Sequence, residues 1–166
     1  MFLEIPLLSL IIWLPIFSGC CILLFKETKR GAYFTKNISL VVSIFSLYLC
    51  YLLYSEFNIK SWEMQFVENE PWISELGIFY NLGIDGISLP LIILTCFMTF
   101  IVIIYSYKII TSSIVQYFSY FLIMQGMICG VFAALDAILF YVFFEAMLIP
   151  MFLIIGIWGG TNRVYA

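Results

Sequence analysis

The sequence predicts an all-α membrane protein: a polytopic helical bundle of about five transmembrane helices, with its N-terminus outside. Three observations predict it. Hydrophobic residues fill 64% of the 166 positions and charged residues only 10%, with a mean hydropathy of +1.13. A soluble domain carries roughly 25% charged residues. Five stretches are long enough to cross a bilayer, which takes about 20 apolar residues. When these stretches are threaded through a membrane in turn, six of the seven basic residues fall on one side. That is the pattern of a multi-pass protein whose basic loops stay inside. The net charge of −3 says little by itself, because the charges are segregated rather than spread.

The first span is placed at 5–25. MFLEIPLLSL puts an acid, Glu4, where a secretory signal would carry basic residues, and no small-residue cleavage site follows, so this span is expected to be retained. The loop KETKRGAYFTK holds Lys26, Lys29, Arg30 and Lys36 and is placed inside. The second span covers 38–57. After it comes a loop from Phe57 to Asp85, in which Lys60 stands against Glu63, Glu68, Glu70, Glu75 and Asp85. It is placed outside, and its Trp62, Trp72, Phe79 and Tyr80 read as interface anchors. NLGIDGISLP leads into the third span, 87–107: Asp85 or Ser88 can cap, Gly83 and Gly86 allow tight turns, and Pro90 suits a first helical turn. The apolar run from Ile109 to Leu135 is too long for one crossing, so the fourth span is placed at 115–135. GMICG sets Gly126 and Gly130 at a spacing that favours close helix packing, and Gln125 needs a partner in lipid. FAALDAILF contains neither Gly nor Pro, so a tight turn is placed at Asp136, followed by the fifth span at 137–158. Lys108 and Arg163 then fall inside. The whole of 1–166 reads as a single membrane domain without internal repeat.

Several function classes are excluded. Cys20, Cys21, Cys50, Cys96 and Cys129 all lie within spans, none forms CxxC, and the chain has no histidine. A Cys/His metal site is therefore not expected, and the cysteines read as small apolar packing residues. There is no GxGxxG, no phosphate-binding loop and no Ser–His–Asp set. No basic groove suggests nucleic acid.

The chemistry-bearing residue is Glu145, in LFYVFFEAMLIP. At about 1.5 Å per residue it lies ~12 Å from the start of its helix, close to the middle of a hydrocarbon core about 30 Å thick. An ionisable group there costs roughly 2.5–3.5 kcal/mol on insertion scales. Two readings stand: a proton-exchanging carboxyl whose ionisation a nearby lysine would control, or a neutral acid donating one interhelical hydrogen bond. Pro150 removes the hydrogen bond to the carbonyl at position 146. The freed carbonyl is either a seat for a water beside Glu145 or part of a plain kink. Asp136 is nine residues away and on the opposite helix face, so the two acids are not a pair. It reads as a helix cap, or as a proton-path residue near the outer surface.

NLGIDGISLPLIILT and LFYVFFEAMLIPMFLIIGIWGGTNRVYA together resemble the M-type antiporter-like membrane subunits of respiratory complex I, whose mitochondrial counterparts are called subunit 4 of NADH dehydrogenase. The likeness covers residues 1–166 and is strongest from 81 onward. An L-type subunit would be expected to have Trp before the acid and glycines after it, where this chain has Phe144 and Ala146. An N-type subunit would follow its acid with Leu- and Ser-rich text. The resemblance implies that Glu145 is an essential member of a proton half-channel, paired with a lysine on a later broken helix and coupled to quinone reduction elsewhere in the complex. It gives Asp136 a less defined place in proton translocation. It also implies no redox cofactor on this chain: NADH, FMN, iron–sulfur clusters and quinone belong to other subunits. The implied partners are the L-type and N-type subunits and the lipid bilayer. The implied location is a bacterial inner membrane, or alternatively the mitochondrial inner membrane. Family members are much longer, with inverted helix repeats. The chain is therefore expected to be the N-terminal part of such a subunit, ending before the partner lysine and inactive alone. The alternatives are a subunit of a multisubunit cation/proton antiporter, or a non-functional fragment acting at most as a scaffold.

Overall fold

Backbone polar groups inside a bilayer must bond within their own segment, and the described residues form five helices. The computed structural model describes residues 6–73, 75 and 77–160. Glu4, Ile5 and Arg163 therefore lie outside the described residues. The order is α1 (Leu7–Leu23), α2 (Lys29–Glu56), β1 (Gln65–Ile73), β2 (Ile78–Ile84), α3 (Ser88–Ile109), α4 (Ile114–Ala133) and α5 (Ala137–Trp158). Four helices, α2 to α5, are long and apolar enough to cross a membrane, and α1 is a shorter apolar helix of 17 residues.

The first difference from the sequence reading is at α2. It begins at Lys29, so Lys29, Arg30 and Lys36 lie on its first turns rather than in a loop. Thr28 is the reason: its hydroxyl accepts a hydrogen bond from Gly31 N at 3.1 Å. Such a cap contributes about 1 kcal/mol, enough to offset cations near a helix start at about 0.3–1 kcal/mol. Lys36 is anchored further along. Its Nζ donates to the carbonyls of Tyr107 and Ile110 and lies 5.2 Å from the centre of the Tyr107 ring.

The second difference is in the acidic loop, part of which is an antiparallel hairpin. Glu68 pairs with Leu82, Glu70 with Tyr80 and Ile73 with Ile78, with two register irregularities. QFVENEPWI and IFYNLGI contain the β-branched and aromatic residues that suit a pleated surface. The hairpin is docked on the helices. Leu135 N donates to Asn81 O at 2.9 Å, and Leu82 bridges Ala134. The Glu68 carboxylate accepts from Leu8 N and Ser9 N at 2.9–3.3 Å and from the Ser9 hydroxyl. Tyr80 joins this cluster through Ser9 Oγ at 2.9 Å and Trp13 Nε1 at 3.0 Å. Burial pushes the Tyr80 phenol above its ordinary value, against the lowering pull of the Ser9 and Trp13 hydrogen bonds. At the start of α3, Asp85 accepts from Ser88 N at 2.7 Å while Ser88 Oγ accepts from Asp85 N at 2.9 Å. The Ser88 hydrogen bonds hold the Asp85 carboxyl below its usual range.

These contacts define two ends. The start of α1, the hairpin, the starts of α3 and α5 and the end of α4 meet at one end. At the other, α2 reaches the end of α3 through Lys36, and Trp158 of α5 donates to Ser112 O at 3.3 Å before α4. The helices therefore alternate in direction.

One apolar core lies toward the hairpin, around Leu8, Ile12, Leu53, Leu82, Ile92 and Phe143; a second, around Ile22, Ile103, Phe118 and Leu122, lies toward the basic end. Gly126 and Gly130 do not share one interface. A Cβ on Gly126 would collide with the Ile12 carbonyl of α1, and one on Gly130 would meet the Phe143 ring of α5 at 2.7 Å. Their four-residue spacing lets α4 approach two neighbours at once.

Candidate functional site

The site is built on α5. Asp136 caps it, its Oδ1 accepting from Ile138 N at 2.8 Å and Leu139 N at 3.2 Å. The residues buried on α5 are Leu139, Phe143 and Pro150. At 100° per residue these fall on one narrow stripe, which faces the rest of the bundle. The rest of the helix surface is largely open.

Glu145 lies on the open side. It is exposed, and with Tyr141, Val142, Ala146, Leu148, Ile149, Phe152 and Leu153 it lines a shallow groove of about 670 Å³. No cation is among the described residues lining that groove. Tyr141 lies one turn earlier on the same face and lines the same groove. Glu145 is the ninth of 22 residues in α5, so it sits roughly 12 Å along a helix about 33 Å long.

The structure does not bring Asp136 and Glu145 together. Asp136 is at the mouth of the helix with its carboxylate on the cap. Pro150 is buried on the packed stripe, and α5 continues through it to Trp158 as α-helix. The carbonyl of Ala146, which Pro150 cannot satisfy, belongs to a residue of the Glu145 groove. Gln125, buried in α4, donates from Nε2 to Cys96 Sγ at 3.3 Å, while its Oε1 has no partner among the described residues. Sequence reasoning missed Tyr141, although YVFFE places it four residues before the acid, where helical side chains meet.

No family model matches the chain. Curated relatives do. NADH-quinone oxidoreductase subunit M of Rickettsia typhi is 39% identical over 168 residues, which is 99% of this chain and 34% of that protein. F(420)H(2) dehydrogenase subunit M of Methanosarcina mazei is 36% identical over 98% of this chain and 32% of its own length. NADH-ubiquinone oxidoreductase chain 4 of Chondrus crispus is 35% identical over 90% of this chain and 30% of its own length. The chain thus spans about a third of the length of the curated relatives it matches. Among solved structures, a chain of respiratory complex I from Thermus thermophilus shares the fold, with a TM-score of 0.76 and 24% identity over 95% of this chain and 30% of that one. A chain of the archaeal membrane-bound sulfane sulfur reductase also shares it, with a TM-score of 0.71 and 19% identity over 90% of this chain and 23% of that one. This is a multi-pass membrane protein and, over nearly its whole length, a homologue of the subunit M and chain 4 proteins of NADH:quinone oxidoreductases.

Proposed function

We propose that this chain is the N-terminal part of a proton-translocating membrane subunit of an NADH:quinone oxidoreductase, and that Glu145 is its proton-carrying residue. The observation that carries this reading is the placement of Glu145. A carboxyl sits near the middle of a membrane-spanning helix, on the broad side of α5 that lies away from its packed stripe. Its groove supplies a phenol, Tyr141, but no positive charge. A carboxylate at that depth needs either a proton or a cation. The groove thus forms half of a charge-controlled proton site. The other half would come from a later segment of a longer protein, such as the lysine-bearing helix that the resemblance implies. A cation approaching Glu145 would favour the carboxylate and release its proton, and a retreating cation would favour proton uptake.

Asp136 has a smaller place in this scheme, as a carboxylate at the hairpin end of the same helix. Positive-inside sidedness supports placing that end outside, in a bacterial inner membrane or its mitochondrial counterpart. The proposed partners are the L-type and N-type membrane subunits. Electron transfer from NADH through FMN and iron–sulfur clusters to quinone would stay on other subunits.

The test is Glu145→Gln in the assembled oxidoreductase carrying this sequence. Gln is near-isosteric and cannot ionise. Assembly should be unchanged and the proton-to-electron ratio should fall sharply. A normal ratio in that variant would overturn the role given to Glu145.

A further inference from the structure

Three thiols that the proposed proton site does not use meet inside the bundle. Cys50 comes from α2, Cys96 from α3 and Cys129 from α4, with exposures of 1%, 0% and 0%. The sulfurs of Cys96 and Cys129 are 3.9 Å apart, in hydrogen-bond contact. Cys50 lies in the same buried cluster. Gln125 donates from Nε2 to Cys96 Sγ at 3.3 Å. Cys96 is therefore the sulfur that both a thiol, Cys129, and an amide, Gln125, address. Cys20 and Cys21 are different: both are exposed on α1.

Packing alone explains small side chains at a helix interface. It does not explain why Cys96 and Cys129 bring their sulfurs together, or why the one buried amide of α4 points its N–H at one of them. We propose that Cys96 and Cys129 form an oxidisable pair, which a small uncharged hydroperoxide converts to a disulfide tying α3 to α4. The Cys96 sulfur attacks the O–O bond of the hydroperoxide. Cys96 becomes a sulfenic acid, and the leaving oxygen departs as water or an alcohol, taking up the thiol proton. The Cys129 thiol then attacks the sulfenic sulfur, the S–S bond forms, and a second water leaves. The hydroperoxide is the oxidant and the two thiols are the reductants. Moving the sulfurs from 3.9 Å to the ~2.05 Å of a disulfide takes about 1 Å from each side chain. The apolar surroundings select the reagent: a neutral hydroperoxide partitions into them, whereas charged thiols such as glutathione do not. The bridge would fix α4, the helix that packs against both α1 and α5 through Gly126 and Gly130.

The 166-residue chain in lipid nanodiscs tests this directly. Cys20 and Cys21 are first blocked with a maleimide. Hydrogen peroxide is then added, remaining thiols are alkylated after denaturation, and the digest is read by mass spectrometry. The expected product is one peptide pair joining Cys96 to Cys129, lighter by two hydrogens and reversed by dithiothreitol. In Cys129→Ser the link should vanish and dimedone should label Cys96. Recovery of both Cys96 and Cys129 as free thiols, at peroxide levels that fully oxidise glutathione, overturns the proposal. So does a bridge from Cys96 to Cys50. The wild-type measurement needs no variant to fold.

Discussion

At the residue scale, two acids on one helix have opposite surroundings. Asp136 has its carboxylate occupied by two backbone N–H groups at the start of α5. Glu145 has Tyr141 beside it and an open groove around it. The cap and the proton path make separable demands on Asp136. Asn caps a helix about as well as Asp, whereas Ala loses about 0.5–2 kcal/mol. Asp136→Asn is expected to unfold in detergent at a denaturant concentration close to that of the parent, and Asp136→Ala at a lower one. If proton pumping in the assembled oxidoreductase survives Asp136→Asn intact, the residue is a cap alone.

At the scale of elements, the hairpin is the feature that hydropathy does not announce. Beside its contacts with Ala134 and Leu135, it is tied by one carboxylate that accepts from three donors at the beginning of α1, a helix whose own N-cap position is Pro6 and offers no side-chain cap. Glu68 thus caps α1 from 60 residues away. Removing it should free the hairpin and fray the first turn of α1 together. Glu68→Ala is expected to cost about 1–2 kcal/mol by analogy with lost caps, and Glu68→Gln less, because one acceptor oxygen remains. Limited proteolysis between β1 and β2 measures it. Equal cleavage rates in parent and Glu68→Ala would show that the hairpin is held by its apolar contacts instead.

At the scale of the whole molecule, the charges divide between two ends. Glu56, Glu63, Glu68, Glu70, Glu75, Asp85 and Asp136 lie toward the hairpin with Lys60, while Lys26, Lys29, Arg30, Lys36 and Lys108 lie toward the other end with Glu27. That asymmetry predicts an orientation. Single cysteines introduced at Glu75 and at Lys29, in a background where Cys20 and Cys21 are Ser, should differ in their reaction with a membrane-impermeant maleimide. The residue at 75 should be labelled from outside intact cells and the residue at 29 only after permeabilisation. The reverse pattern would invert the topology.

Hydropathy and basic-residue sidedness alone identified a membrane-spanning helical protein, and FYVFFE singled out the one acid at mid-helix. They work because the cost of a charge or an unpaired backbone group in lipid is large and can be read residue by residue. The faces of the helices were not legible. When almost every position is apolar, no stripe of hydrophobicity marks the packed side. The structure even reverses the usual pattern on α2, burying Thr35, Ser39, Ser43 and Ser46 while Val41, Tyr48 and Tyr51 stay exposed. Packing in a bilayer favours small side chains over greasy ones. Hence only the tertiary structure decided that Gly126 and Gly130 serve two different neighbours and that three distant cysteines meet at one point. It alone turned Glu145 away from the bundle, because α5 buries a single stripe of Leu139, Phe143 and Pro150 and leaves its opposite side open.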